Sequence, residues 1–219
     1  MDRSLRSHVI LLLLLLALGY SFILMAEITW RYRFFELDAS FLQIKQTEIR
    51  NVPWYKYVFY AHVSTAILTL FAGFTQFNTR FLQRFPLWHR RLGYLYILTI
   101  LFFAAPSGIL MGIYANGGPG AQIAFVLLGI LWWFFTLKAF FTAKSKDFKA
   151  HQKFMYRSFA LTCSALTLRY WKVILVYFFE PNPMDLYQVI AWLGWIPNLI
   201  LIEIFISHKF RETVPLRTI

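Results

Sequence analysis

Apolar stretches long enough to cross a bilayer alternate with short polar connections along the chain. A membrane-spanning helix needs about 20 mostly apolar residues, and six stretches of the sequence meet that length. The pattern predicts an all-α, polytopic integral membrane protein with six transmembrane helices, in which spans two to five form a core four-helix bundle. We expect a single membrane domain over residues 1–219. The predicted spans cover residues 8–30, 54–77, 92–115, 121–142, 154–178 and 187–207.

The connection over residues 31–53 differs from the others because it is long and of mixed charge. Asp38 or Ser40 is suited to cap a short helix that carries Phe41 and Leu42. We therefore expect an outer interfacial segment, which is either a passive helix on the membrane surface or a lid over the bundle.

Clusters of Lys and Arg fall on alternate connections, whereas the connections between them are uncharged at 116–120 and acidic at 180–185. Positive residues collect in cytoplasmic loops, and six spans place all the clusters on one side. We therefore expect both termini to be cytoplasmic, in a bacterial cytoplasmic membrane. The clusters are Arg3 and Arg6; Arg80, Arg84, Arg90 and Arg91; Lys144, Lys146, Lys149 and Lys153; and Lys209, Arg211 and Arg217.

The composition excludes a soluble domain. The chain has 59% hydrophobic and 15% charged residues, whereas soluble domains carry about 25% charged residues. The net charge of +12 fits basic cytoplasmic connections, so the lipid bilayer is the expected partner and nucleic acid is not. Cys163 is the single cysteine of the sequence, which excludes an internal disulfide.

Polar residues recur at helical spacing on the second and fifth spans. His62 and Thr65 share one face of the second span, and Thr162 and Arg169 share one face of the fifth. A charged residue inside a membrane is costly unless it faces a partner, a ligand or water. These four residues therefore form a candidate intramembrane site for a lipid or a small polar solute, although Ser and Thr at such spacing also pack helices together.

A second group of polar residues lies near the cytoplasmic ends of the spans. Two neutral imidazoles, His89 and His151, could ligate the iron of a haem b, and guanidinium groups such as Arg90 and Arg157 suit its propionates. Together with Gln76 they would equally suit a quinone or a lipid phosphate. Ordinary basic loop residues would give the same pattern. The histidines are metal ligands only under the haem interpretation.

The sequence assigns no catalytic residue. The carboxylates Glu27, Glu180, Asp185 and Glu203 fall near the ends of the predicted spans, so no intramembrane carboxylate pair is expected. Ser-His-Asp and His-Glu-x-x-His patterns are missing from the sequence.

Several short motifs together resemble the predicted membrane proteins of domain of unknown function family 2306. Their order and spacing match that family from His62 to about Lys172, with departures at Tyr94 and Phe154. The resemblance implies a membrane protein of unestablished function. Its four central spans are also broadly similar to the ascorbate-reducing four-helix cytochromes, which carry two haems, although this chain lacks the full set of four helix histidines. The motifs are 73–77, 86–96, 116–118, 150–158 and 167–169.

Two functional hypotheses follow and stay open at this point. One is a haem- or quinone-linked redox module that uses His89 and His151. The other is a non-redox membrane module that binds or moves a lipid or small polar solute, or an assembly factor. Whether the chain is an enzyme, and its oligomeric state, do not follow from the sequence.

Overall fold

Every regular element is a helix in the computed structural model, which describes residues 3–211. The elements are α1 (Arg3–Trp30), a 3-10 segment (Ser40–Lys45), α2 (Gln46–Asn51), α3 (Tyr55–Gln76), α4 (Thr79–Arg84), α5 (Pro86–Thr99), a π-helical segment (Ile100–Ala104), α6 (Ala105–Ile113), α7 (Gly118–Lys144), α8 (Phe148–Thr162), α9 (Ser164–Phe179), α10 (Pro183–Leu193) and α11 (Ile196–Lys209).

Within these described residues, five helical stretches are long and apolar enough to cross a membrane. They coincide with the second to sixth predicted spans, which confirms the all-α polytopic membrane fold. The first predicted span lies on α1, and its crossing of the membrane stays a prediction. The five stretches are Tyr55–Gln76, Pro86–Ile113, Gly118–Lys144, Phe148–Phe179 and Pro183–Lys209.

The chain divides into two compact units, Met1–Thr99 and Ile100–Ile219. In the first unit, α3 packs against α1 and α5, and α4 packs against α5. A Cβ added at Gly93 on α5 would lie 3.0 Å from Oε1 of Gln76 on α3. The small residue at position 93 therefore lets these two helices approach closely.

The connection between α1 and α3 packs against α3 in the first unit. The ring of Phe41 stacks on that of Phe59 with 6.0 Å between their centroids. The backbone N–H of Phe41 donates to the hydroxyl of Tyr32 at 3.1 Å, and the hydroxyl of Tyr60 donates to the carbonyl of Glu36 at 2.6 Å. The bond between Phe41 and Tyr32 lies within the segment, whereas the contacts with Phe59 and Tyr60 fix the segment to the beginning of α3.

The expected helix cap in this connection is wrong. The 3-10 segment begins at Ser40, its N-cap is Ala39, and within the described residues no side chain caps it. Ser40 has a positive φ of 49°, so it adopts a turn conformation that differs from the extended backbone of an N-cap. Leu42 and Lys45 are buried, and Lys45 pairs with Glu48 at 2.7 Å. The segment is therefore held by packing and by this ion pair.

In the second unit, α7 packs against α6, α8 and α10, while α8 packs against α11 and α9 against α10. Ala121 and Ala124 on α7 form a buried cluster with Ala191 on α10. A Cβ added at Gly112 on α6 would lie 3.1 Å from the backbone nitrogen of Val126 on α7. Small residues bring these membrane helices close together.

Candidate functional site

Three of the membrane-length stretches described above are interrupted near their middle, and all three interruptions fall in the second unit. The stretch Pro86–Ile113 contains the π-helical segment Ile100–Ala104. The stretch Phe148–Phe179 breaks at Cys163, between α8 and α9. The stretch Pro183–Lys209 breaks at Gly194 and Trp195, between α10 and α11. Irregular backbone at membrane depth is tolerated only where protein or a water-lined cavity satisfies its polar groups.

The π-helical segment is explained by Pro106, which follows it. Proline has no N–H and its ring collides with the carbonyl four residues earlier. A π-helical bond to the carbonyl of Leu101 would come from residue 106, which cannot donate. Instead, the indole Nε1 of Trp133 on α7 donates to this carbonyl at 3.1 Å. A side chain from the neighbouring helix therefore replaces the missing backbone bond.

The break between α10 and α11 follows from Gly194 and Pro197. Glycine is a poor helix former, and Pro197 cannot donate to the carbonyl of Leu193 in a continuous helix. A Cβ added at Gly194 would lie 3.0 Å from both the Cβ of Leu168 and the carbonyl oxygen of Ile190. Glycine at this position therefore also permits the close approach of α9.

Asn198 joins the two breaks. Its Nδ2 lies 3.1 Å from the carbonyl of Ala160 on α8, 3.3 Å from that of Gly194 and 3.0 Å from the hydroxyl of Thr167 on α9. The Thr167 hydroxyl in turn donates to the Gly194 carbonyl. These two side chains thereby satisfy carbonyls on both sides of the interruption and hold the first turns of α9 and α11 together.

Thr162, one of the predicted site residues, belongs to a buried polar seam between α7 and α8. Its hydroxyl accepts a hydrogen bond from Nε1 of Trp132 at 3.0 Å, and the hydroxyls of Thr136 and Ser158 lie 2.7 Å apart. All four side chains are buried. The seam is a packing contact between helices, and Thr162 ends α8 at the break.

Arg169 lies in α9, six residues beyond Cys163 at the break. Its Nη1 donates to the carbonyl of Ala165, and the residue is half-buried. The guanidinium therefore stays close to the start of its own helix.

Arg157 is bound by a residue that the sequence reasoning did not select. Its Nε and Nη2 donate to the two carboxylate oxygens of Glu203 on α11, at 2.5 and 2.8 Å. The guanidinium also lies over the ring of Phe154, 5.5 Å from its centroid. This two-bond ion pair joins spans five and six. Arg157 is already paired with Glu203. To bind a propionate or a phosphate as predicted, its guanidinium would have to leave Glu203 or contact both groups.

His151 is oriented by the helix that packs against its own. Its Nδ1 lies 2.8 Å from the carbonyl of Ala139 on α7, so this nitrogen carries the proton and donates. Asp147 caps the start of α8 by accepting from the backbone N–H of Ala150 at 3.0 Å. In the neutral imidazole, a proton on Nδ1 leaves the lone pair on Nε2, which is the arrangement common among metal-binding histidines.

The first unit contains the other predicted residues. Nε2 of Gln76 lies 3.4 Å from the carbonyl of His89, which brings these two positions together. His89 is half-buried and Arg90 is exposed. His62 is half-buried on α3, and the hydroxyl of Thr65 donates to the carbonyl of Ala61 at 2.6 Å.

The predicted pairs are divided between the two units. His89 lies in the first unit and His151 in the second, and likewise His62 in the first and Arg169 in the second. Their proximity therefore stays a prediction. Among residues 3–211 there is no group of three or more His, Cys, Asp or Glu side chains that could hold a metal ion.

Three residues of the second unit were missed because their importance depends on neighbouring helices. Asn198 and Trp195 lie inside an apolar span, and Glu203 was assigned to a span end. The dipeptide Pro197-Asn198, following Gly194, was the available signal, because Gly and Pro within a hydrophobic span indicate a broken helix.

The comparisons with known proteins identify one family. The profile described as Predicted membrane protein (DUF2306) matches residues 59–206, which is more than half of the chain. The match includes the five described membrane-length stretches almost completely and all of the interruptions. No curated protein matches the sequence, and no solved structure matches the fold.

Proposed function

The chain belongs to the predicted membrane protein family DUF2306, and on that premise we propose that it is a non-redox membrane module that binds or moves a lipid or a small polar solute. The observation that carries the proposal is the paired interruption of spans five and six around Asn198. Transporters bind substrates at such discontinuous helices, near the middle of the bilayer.

The polar groups at this interruption are concentrated where a bilayer is least able to satisfy them. The structure brings Thr167 and Asn198 together at the break, and the predicted site residues Thr162 and Arg169 lie on either side of it. Residues of this kind inside a membrane indicate a ligand site. We propose that Arg169 and Asn198 contact the ligand and that Thr162 supports this site through its bond to Trp132. A contribution from His62 and Thr65 stays a prediction.

Retention of a ligand through purification tests this proposal. Native mass spectrometry of the full-length protein in detergent should detect a bound lipid or solute in addition to the protein mass. Asn198→Ala should lose it, whereas Asn182→Ala, in the connection before α10, should retain it. Equal retention in both variants, or no adduct in the wild-type protein, would overturn the proposal.

A second candidate is a haem- or quinone-linked redox module, and the orientation of His151 favours it. The bond from Nδ1 to Ala139 fixes the tautomer in which Nε2 can ligate iron. The predicted haem b ligands of this candidate are His89 and His151, and guanidinium groups such as Arg90 and Arg157 would suit the propionates; that these residues meet stays a prediction.

A reduced-minus-oxidised visible spectrum of protein expressed with added haem distinguishes the two candidates. Bis-histidine bands that disappear in His151→Ala and persist in His208→Ala would support the redox module. A colourless wild-type protein would exclude the haem form of this candidate.

We propose that the chain lies in a bacterial cytoplasmic membrane with both termini on the cytoplasmic side. The basic connections support this orientation, because Lys and Arg accumulate on the cytoplasmic side.

A further inference from the structure

We propose that the start of span five and the end of span six together bind the headgroup of an anionic phospholipid, through the ammonium groups of Lys153 on α8 and Lys209 on α11. Both residues belong to the second unit. The helix α11 runs for 14 residues from the break to Lys209, which is about 21 Å, so this site is separate from the interruption around Asn198. The inference goes beyond the proposed function and does not depend on it.

The two lysines lie where two membrane-length stretches reach the same surface of the membrane. The stretch Phe148–Phe179 begins with α8, and the stretch Pro183–Lys209 ends with α11. These two helices pack against each other, and the ammonium of Lys209 donates to the hydroxyl of Tyr156 on α8 at 2.5 Å. Long basic side chains near the ends of spans extend to the level of the lipid headgroups.

One aromatic ring lies beside both ammonium groups. The Nζ of Lys153 is 5.3 Å from the centroid of the Phe210 ring, and the Nζ of Lys209 is 5.8 Å from the same centroid. Lys209 also lies over the ring of Tyr156, at 4.8 Å. Aromatic rings attract cations but carry no net charge, so the repulsion between the two ammonium groups remains. An anionic group that contacts both would relieve it.

Carboxylates do not neutralise the two lysines within the described part of the chain. The helices α8 and α11 contain one carboxylate, Glu203, which is paired with Arg157. Asp147 caps the start of α8, and the ion pairs among residues 3–211 do not involve Lys153 or Lys209. The start of α8 carries about half a positive charge and the end of α11 about half a negative one, so the helix ends offset each other. Two positive charges therefore remain for an anion.

An exposed apolar strip on α11 leads to Lys209. Leu201, Ile204 and Phe205 are exposed, and their spacing places them on one face of the helix, one turn before Lys209. A phospholipid joins an anionic phosphate to apolar chains, so it can contact the ammonium groups and this strip together. A soluble anion would contact the ammonium groups alone. Basic pockets between membrane helices bind anionic lipid headgroups in this way.

The experiment titrates the full-length protein in detergent with phosphatidylglycerol or phosphatidylcholine and measures the lipid adducts by native mass spectrometry. Both lipids have the same deuterated acyl chains, so their masses differ from that of any ligand retained through purification. We expect phosphatidylglycerol to bind at least about tenfold more tightly. Lys153→Gln combined with Lys209→Gln should weaken its binding about 25-fold, because each lysine near an anionic lipid contributes about a factor of five.

The single substitution Lys153→Gln should weaken phosphatidylglycerol binding about fivefold. Lys172→Gln is its matched control, because it removes the same charge from an exposed position toward the other end of the same stretch, and it should change the affinity by less than about twofold. Equal affinity for the two lipids, or equal effects of Lys153→Gln and Lys172→Gln, would overturn the inference. Displacement of phosphatidylglycerol by an equal concentration of inorganic phosphate would assign the lysines to a soluble anion and overturn it as well. The wild-type comparison decides the result even if the double variant fails to fold.

Discussion

Asn198→Ala tests whether the interruption is stabilised as the contacts indicate. The substitution removes the donor to the carbonyl of Ala160, whereas the carbonyl of Gly194 keeps its bond from Thr167. One half-buried carbonyl is therefore left unsatisfied, and a fully buried one would cost about 1–3 kcal/mol. Side-chain hydrogen bonds inside membrane proteins average about 0.6 kcal/mol and reach about 1.7 kcal/mol. We accordingly expect the free energy of unfolding to fall by about 1–2 kcal/mol.

The assay is unfolding in mixed micelles of increasing SDS fraction, followed by tryptophan fluorescence. Asn182→Ala is the control, because the amide of Asn182 contacts Asp185 at 3.3 Å at an exposed position. Its loss should change the free energy of unfolding by less than about 0.5 kcal/mol. Asn198→Asp should destabilise at least as much as Asn198→Ala, since a carboxylate cannot donate to the carbonyl. If Asn198→Ala unfolds at the same SDS fraction as the wild-type protein and Asn182→Ala, the Asn198 side chain does not stabilise the break and the reasoning is refuted.

Three further predictions concern close packing, the π-helical segment and orientation. Gly194→Ala should lower the free energy of unfolding by about 1–3 kcal/mol, since the added Cβ would lie 3.0 Å from atoms of Leu168 and Ile190. The control Gly120→Ala, whose Cβ would meet nothing within 4 Å, should leave the free energy of unfolding unchanged in the same SDS titration. Trp133→Phe should lower the free energy of unfolding by about 1 kcal/mol, because the indole loses its bond to the carbonyl of Leu101. The control is Trp30→Phe, at an exposed residue. If the two substitutions lower the free energy of unfolding equally, the prediction is contradicted. Reporter fusions at Asn116 should be active on the outer side and those at Lys146 on the cytoplasmic side, and the reverse pattern would refute the proposed orientation.

The membrane spans could be predicted because crossing a bilayer is a local requirement on about 20 consecutive residues. The second predicted span, 54–77, corresponds to the helix Tyr55–Gln76, and the fourth, 121–142, lies within Gly118–Lys144. The motifs also indicated the family correctly. They depend on residue order along the chain, which the sequence displays directly.

The candidate site could be predicted only in part. Arg169 and Thr162 were recognised because polar residues stand out in an apolar helix, and they lie on either side of the break at Cys163. The expected cap at Asp38 or Ser40 was wrong: the segment has Ala39 as its N-cap and no side-chain capping bond among the described residues, and its Leu42 and Lys45 are buried. The preference of helix starts for capping residues describes the local sequence, whereas the burial of side chains depends on the elements packed around them.

The sequence by itself determined the fold class, the position of the apolar spans and the family of this protein. Only the tertiary structure decided which polar groups meet: Asn198 with the carbonyl of Ala160, Trp133 with that of Leu101, and Arg157 with Glu203. The physical reason is the range of the interactions. Hydrophobicity acts on each segment separately, whereas a broken helix in a membrane is stable only when another helix supplies the missing hydrogen bonds.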